Sequence, residues 1–330
     1  MNNLTSEFAG LKLNSPIIAG SCGLTSSVEH IKEIEKNGAG AVVLKSIFEE
    51  EITNEYDKLL SENEKDEGYN INMDYFDFKI KQDNINNYLT LIKDAKNAVS
   101  IPIIASINCV SSHEWTYFAK KIEDAGADAL ELNVFIAPTD YSKSSEEKEK
   151  IYFDIINEIT SKVNIPVIVK MSYYFTDLSG MINKLSKTNI KGLVLFNRFF
   201  SPDIDIDNNR VVPVNICSTP AELPTSLRWI AIASETAECD LAASTGVHNG
   251  EAVIKEILAG ANAVQIASAM YKKGIPVIKE MNSCIESYMK DKNYENLAQF
   301  RGLMSYKKIS NPALYERMQF MRYFGAKDIT

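Results

Sequence analysis

The chain has 330 residues, 45% of them hydrophobic and 24% charged, the composition of a globular protein long enough to bury a large core. A formal net charge of −9 argues against nucleic acid as the main partner, though a small anionic ligand held by local cations stays open. No apolar run reaches the roughly 18 residues of a membrane span, the N-terminus is polar and mixed, and the five cysteines (Cys22, Cys109, Cys217, Cys239, Cys284) contain no Cys-x-x-Cys pair, so a reduced, cytoplasmic protein without zinc or iron–sulfur cluster is expected.

In chain order, SPIIAG (15–20) reads as a first strand, and 28–36 as an amphipathic helix with Val28, Ile31 and Ile34 on one face. NGAGAVVLK (37–45) follows: a glycine stops the helix, a small-residue step comes next, then a short apolar strand. Residues 48–81 are acidic, with Glu49, Glu50, Glu51, Glu55, Asp57, Glu62, Glu64, Asp66 and Glu67, and an inserted loop is expected over about 48–83. Helix 86–99 and strand 102–107 (PIIASI) come next, then helix 114–124 and strand 125–133 (AGADALELN). Helix 146–163 leads to PVIVKM (166–171), and helix 178–186 to IKGLVLFN (190–197). Helix 227–234 precedes DLAAST (240–245), and helix 251–258 precedes AGANAVQIA (259–267). Helix 276–289 and a helical extension over about 290–330 close the chain. Strand–helix alternation repeated eight times implies parallel strands, and a single α/β domain, a closed (β/α)8 TIM barrel, is the expected fold. An open doubly wound sheet is disfavoured because no glycine-rich dinucleotide fingerprint follows the first strand.

Active sites of such barrels lie at the C-terminal strand ends. Those ends are Gly20, Ser21 and Cys22; Lys45 and Ser46; Ser106 and Asn108; Asn133; Lys170; Asn197; Ser244, Thr245 and Gly246; and Ala267 and Ser268. This ring is rich in amides, carries two lysines and holds no carboxylate pair or histidine cluster. Metal catalysis and glycoside hydrolysis are therefore poorly supported, and a planar heteroaromatic ligand with many acceptors fits better. STGVHNGEAV (244–253) and QIASAMY (265–271) place small residues where strands turn into helices, where backbone N–H groups can hold a phosphate or merely form a tight turn. Of the three histidines, His30 is expected in solvent, His113 at a helix start and His248 beside the phosphate turn.

In the order and spacing of these motifs, the chain resembles the cytosolic class of the dihydroorotate dehydrogenase family from about residue 8 to 302. NSPIIAGSCGLT (14–25) is similar to the family's opening segment against the flavin, Lys45-Ser46 to its Lys-Ser, Glu131-Leu132-Asn133 to its Glu-Leu-Asn, and Val169-Lys170 to its Val-Lys. Asn197 matches a substrate-pairing Asn, Ser244 to Val247 and Gln265 to Ser268 match two phosphate turns, and NYENLAQFRG (293–302) is similar to a late segment of the family. The resemblance implies bound FMN, a planar, anionic small-molecule substrate, no nucleic acid or membrane partner and a homodimer. It places Lys45, Asn133 and Asn197 as catalytic residues. It assigns Gly20, Ser21, Cys22, Lys45, Ser46, Asn108, Asn133, Lys170, Ser244, Thr245, Gly246, Ala267 and Ser268 to the cofactor. The family's flavin takes hydride from C6 of dihydroorotate while a base removes a proton from C5.

Three departures stand out. The family's Glu-Leu-Asn continues Leu-Ser-Cys-Pro-Asn with Cys as base, whereas here Val134-Phe135-Ile136-Ala137-Pro138 follows, and the alkyl side chain of Ile136 cannot accept a proton. The acidic segment has no match to the family's substrate clamp, leaving Asn70 and Asn72 as substitutes. Arg198 stands where a small hydroxyl residue is usual and could bind a carboxylate or pair with the acidic loop. Tyr141, Tyr173, Tyr174, Cys22 and Cys109 are the candidate replacement bases. Two other functions stay open: a flavin-binding paralogue without turnover, and a flavin-free lyase or aldolase with Lys170 or Lys45 as Schiff base.

Overall fold

A computed structural model describes residues 3–48, 73–108, 112–134, 136, 139–198, 201–214 and 216–316. The chain opens with a hairpin, β1 (Ser6–Phe8) and β2 (Leu11–Leu13), whose turn residues Ala9 and Gly10 take φ of 54° and 78°. Next come β3 (Ile17–Ala19), α1 (Val28–Lys36), β4 (Ala41–Val43), the two-residue β5 (Ile47–Phe48) and α2 (Met73–Ala98). Then β6 (Ile103–Asn108), α3 (Ser112–Asp124), β7 (Ala129–Asn133), α4 (Ser145–Thr160), β8 (Val167–Met171), α5 (Leu178–Ser186) and β9 (Gly192–Leu195) alternate. A second hairpin, β10 (Pro202–Asp205) and β11 (Arg210–Pro213), precedes α6 (Leu223–Ala233). The last elements are β12 (Asp240–Ser244), α7 (Gly250–Ala259), β13 (Ala263–Ile266), α8 (Ser268–Lys273), α9 (Val277–Lys292) and the short α10 (Ala313–Glu316).

Eight parallel strands, β3-β4-β6-β7-β8-β9-β12-β13, pair in that order, and β13 pairs back with β3 to close the expected (β/α)8 barrel. The side-chain period of two explains the core. Ile18, Val43, Ile104, Ala129, Ile168, Val194, Ala242 and Ala263 form the inner cluster, and the first hairpin adds Phe8 and Leu13 to it. Their strand neighbours, such as Ile17, Val42, Ile103, Leu130, Val169, Leu193, Leu241 and Val264, join the larger layer against the helices. Phe8 is fully buried, and a Cβ on Gly192 would lie 2.9 Å from its ring, so β9 needs a glycine where the hairpin plugs the barrel.

Two regions depart most from the sequence reading. α2 begins at Met73, so the last part of the segment expected as loop is helical, while 49–72 lie outside the described residues. The C-terminal extension is mostly turns between Asn293 and Pro312, held by bonds such as Gly302 N–H to Ile257 O at 2.9 Å, and 317–330 lie outside the described residues. No helix among the described residues is long and apolar enough to cross a membrane.

Candidate active site

Continuing the inner period of two toward the strand ends turns the interior from apolar to polar. Two residues beyond Ile168 stands Lys170; beyond Ala129, Glu131 and Asn133; beyond Ala263, Gln265; beyond Ala242, Ser244; beyond Val43, Lys45; and beyond Ile104, Ser106 and Asn108. Three of them form one network. Lys170 Nζ donates to Gln265 Oε1 at 2.8 Å, Gln265 Nε2 donates to Glu131 Oε2 at 2.5 Å, and Lys170 Nζ lies 3.7 Å from Glu131 Oε1. Glu131 is fully buried, so the lysine and the amide compensate a carboxylate that would otherwise be costly there. Asn133 pairs in register with Lys170, and its Oδ1 is buried without a partner.

A chain of hydroxyls stiffens the floor beside this network. Ser21 Oγ lies 3.0 Å from Ser46 Oγ, which lies 2.7 Å from Ser106 Oγ, and Ser46 N–H donates to Ser21 Oγ at 2.9 Å. Tyr88 of α2 completes it: its hydroxyl accepts from Ser106 N–H at 2.8 Å and donates to Ser106 O at 3.2 Å. Burial pushes the Tyr88 hydroxyl well above the ordinary tyrosine range, so it stays a neutral donor. The half-buried Lys45 is anchored by its N–H to Thr25 O at 3.5 Å, and Gly20 N–H donates to Ile266 O at 2.8 Å.

A cleft of about 250 Å³ opens over β3, β12 and β13. It gathers Ser21, Cys22, Lys170 and Asn197 with both small-residue turns, Ser244–Gly246 and Ala267–Ser268. Asn197 is fixed by its N–H to Met171 O at 2.8 Å. Thr245 and Gly246 take φ of 79° and 82°, and a Cβ on Gly246 would lie 2.2 Å from Leu223 N, so only glycine fits that turn. Ser218 ties the far side: its N–H donates to Ser268 Oγ at 2.9 Å, and Lys272 Nζ donates to its carbonyl at 2.8 Å. Lys273 Nζ donates to His248 O at 3.0 Å, so two cations stand at this end of the cleft.

Several sequence expectations need correction or refinement. His248 does not line the cleft; it is buried behind it, with Nε2 3.1 Å from Ser218 Oγ. Burial and the nearby Lys272 lower its pKa, so it is a neutral partner. His30 is exposed, and His113 falls in the first turn of α3. Arg198 forms an ion pair with Glu222, its Nε meeting Oε1 at 2.8 Å, and its Nη1 donates to Ile216 O at 3.0 Å, while the acidic residues 49–67 lie outside the described residues. Among the candidate bases, Tyr141 is fully exposed, Cys22 lines the cleft with its thiol pushed up by burial, and Cys109 lies outside the described residues. Tyr173 and Tyr174 line two neighbouring cavities, one of which also includes Ile136. Asn70 and Asn72 lie outside the described residues.

Glu131, Gln265, Tyr88 and Tyr271 belong to the site although the strand-end reading passed over them. Glu131 and Gln265 share the inward face with Asn133 and Ala267, two positions earlier, and inward parity was the signal that could have found them. Tyr271 lines the cleft and accepts from Gly23 N–H at 2.7 Å.

Comparison with known proteins agrees with this geometry. The dihydroorotate dehydrogenase family profile matches residues 3–289. A relative from Thermoplasma volcanium, named dihydroorotate dehydrogenase B (NAD(+)), catalytic subunit, is 28% identical over 317 residues, covering 92% of this chain and 99% of that protein. Proteins of the same name from Methanosarcina acetivorans (28% identical; 92% of this chain, 95% of that one) and Methanocaldococcus jannaschii (26%; 88% and 94%) are also similar. With the profile spanning nearly the whole chain and the barrel mouth arranged as described, this protein belongs to the dihydroorotate dehydrogenase family, oxidoreductases acting on CH–CH bonds.

Proposed function

We propose that the protein is an FMN-dependent oxidoreductase that removes two hydrogens from adjacent carbons of a cyclic amide of the dihydroorotate kind. The observation that carries this reading is the buried, unpartnered Asn133 Oδ1 beside a lysine already held in place by Gln265 and Glu131. A buried acceptor left empty costs roughly 1–3 kcal/mol, and a ligand presenting an N–H there removes that cost. The rest of the donor set also fits FMN. Gly246, the Ser244–Thr245 turn and the start of α8 would take the phosphate, with Lys272 and Lys273 supplying positive field. Lys170, Asn133, Ser21 and Ser46 would hold the ring system, and Gly20, Cys22, Asn108, Ala267 and Ser268 its edges and tail.

When bound, FMN supplies an acceptor for a hydride. Lys170 would present a cation to the negative charge of a reduced flavin, and Gln265 and Glu131 hold its ammonium in place. Lys45 and Asn197 would orient the substrate over the mouth, and the hydroxyl chain from Ser21 to Tyr88 would brace the strand ends beneath it. Proton removal is the incomplete half. Ile136 has no proton-accepting atom, and loss of a general base costs roughly 10²–10⁴-fold. Dihydroorotate is therefore oxidised slowly, and Ile136→Cys is expected to speed anaerobic flavin reduction. An unchanged rate would mean that missing substrate contacts, not the missing base, limit the reaction. The relatives are named as catalytic subunits, and a separate electron-accepting partner subunit is part of the same reading. A Schiff base on Lys170 is disfavoured because its Nζ is committed to Gln265 and Glu131; borohydride trapping of a carbonyl ligand on Lys170 or on Lys45 would favour the lyase reading instead.

A further inference from the structure

Beside the cofactor cleft lies a second cavity of about 190 Å³. It shares Asn197, Arg198, Ser244 and Thr245 with the cleft, so the two compartments meet at the barrel mouth. One wall is aromatic. The rings of Tyr173 and Tyr174, just after β8, have centroids 4.8 Å apart, and Tyr173 meets Phe196 edge-on at 5.7 Å. Tyr173 is 41% and Tyr174 47% exposed, while Tyr152 and Phe118 of the same molecule are almost fully buried. Adjacent rings with this much exposed surface at the mouth of a cavity are the kind of apolar surface that a ligand covers.

Charge narrows the class of ligand. The guanidinium of Arg198 and the carboxylate of Glu222 line the same cavity and pair at 2.8 Å. Burial opposes ionisation of Glu222, but the Thr219 N–H and Arg198 outweigh it and hold the carboxyl below its ordinary range. The two charges cancel, and a charged substituent would have to displace one of them. The other lining residues are ring faces and the neutral polar groups of Asn197, Ser201, Thr225, Ser244 and Thr245, the Ser226 hydroxyl being bonded to Glu256 at 2.6 Å. An apolar cavity of ~150 Å³ accepts a benzene ring, so this one accommodates a single six-membered ring with a small substituent.

We propose that this cavity is a specificity pocket for the non-reacting part of the substrate: a neutral, flat aromatic or conjugated ring bearing an amide or hydroxyl, stacked on Tyr173 and Tyr174. The proposal rests on the oxidoreductase reading above, and dihydroorotate has no second ring to fill the pocket. Benzamide, cyclohexanecarboxamide and benzoate, titrated into the flavin-loaded full chain by ligand-observed NMR, test it, with flavin content read by absorbance in the same samples. Benzamide is expected to bind more tightly than either of the others. Tyr173→Ala or Tyr174→Ala is expected to weaken it roughly 10-fold, while Tyr174→Phe keeps most of the affinity. Equal affinities for benzamide and cyclohexanecarboxamide, benzoate binding better than benzamide, or benzamide affinity untouched by both alanine variants would each overturn the pocket. Lost selectivity with flavin intact tells against the pocket alone; absent flavin with selectivity intact tells against the oxidoreductase reading alone.

Discussion

Lys170 illustrates how a single buried side chain is fixed in place by its neighbours. Its ammonium donates to Gln265 at 2.8 Å, and the amide passes the polarity on to a buried carboxylate. Hydrogen bonds to charged groups contribute about 1.5–3 kcal/mol, so Lys170→Met is expected to weaken FMN binding roughly 10- to 100-fold in a fluorescence titration. An unchanged Kd would remove Lys170 from the cofactor site. Gly246→Ala should act through the backbone instead: at φ 82°, with Leu223 N 2.2 Å from the new Cβ, the turn must open. A loss of about 1–3 kcal/mol of stability together with faster flavin release is expected, read by thermal melts and dialysis. Lys170, Asn133 and Gly246 were legible in the sequence because each sits at the end of a short apolar run. Glu131 was legible only as part of a resemblance, since a carboxylate inside a strand reads as an anomaly until the inward parity assigns it to the barrel axis. Tyr88 could not be read at all, because nothing in a helical repeat tells that one ring reaches Ser106 across the strand ends.

Among the elements, α1 and α5 have the extents that periodicity alone predicts, and Ser27 and Asp177 cap them by accepting from His30 N–H and Gly180 N–H. Helix α2 starts earlier than expected because its N-terminal half carries acidic and polar residues that disguise the period. Both hairpins escaped the reading. β1 and β2 have only three residues each, and their turn signal is a single Gly10 after Ala9. β10–β11 carries a clearer sign, the alternation Asp203-Ile204-Asp205 before the turn at Asn208–Asn209, where Asn209 takes φ 49°. The first hairpin is more than a decoration, because Phe8 closes the bottom of the barrel. Phe8→Ala is expected to cost about 3–5 kcal/mol and to lower the melting temperature without changing the flavin spectrum of the folded fraction. A melting temperature within a degree or two of the parent (roughly what a 0.5 kcal/mol surface change gives) would show that the hairpin is dispensable.

At the scale of the whole molecule, the eightfold alternation of strands and helices was legible because parallel strands buried on both faces leave continuous apolar runs. How the mouth divides into a cleft over the two small-residue turns and a tyrosine-walled cavity was not, since it depends on loops whose side chains meet only in three dimensions. Global stability should also carry one identifiable pH signature. Glu256 of α7 is fully buried, accepts from Ser226 Oγ at 2.6 Å, and is pushed by burial up to about 8 from an ordinary 4.5. The folded chain thus keeps this carboxyl protonated where the unfolded chain ionises, so its stabilising contribution is full below about pH 4.5 and is lost as pH rises to about 8. Glu256→Gln should flatten the fall in melting temperature across that window; parallel profiles for parent and variant would contradict the assignment.

The central claim is that the barrel mouth holds FMN for oxidation of a dihydroorotate-like ring. The most direct measurement is an anaerobic visible spectrum of the protein, reconstituted with FMN and then mixed with dihydroorotate, beside the Ile136→Cys variant. The account predicts a yellow protein with one flavin per chain that bleaches slowly, and faster in the variant by up to about 10²-fold. A chain that takes up no FMN, or a flavin that neither protein reduces, would contradict it.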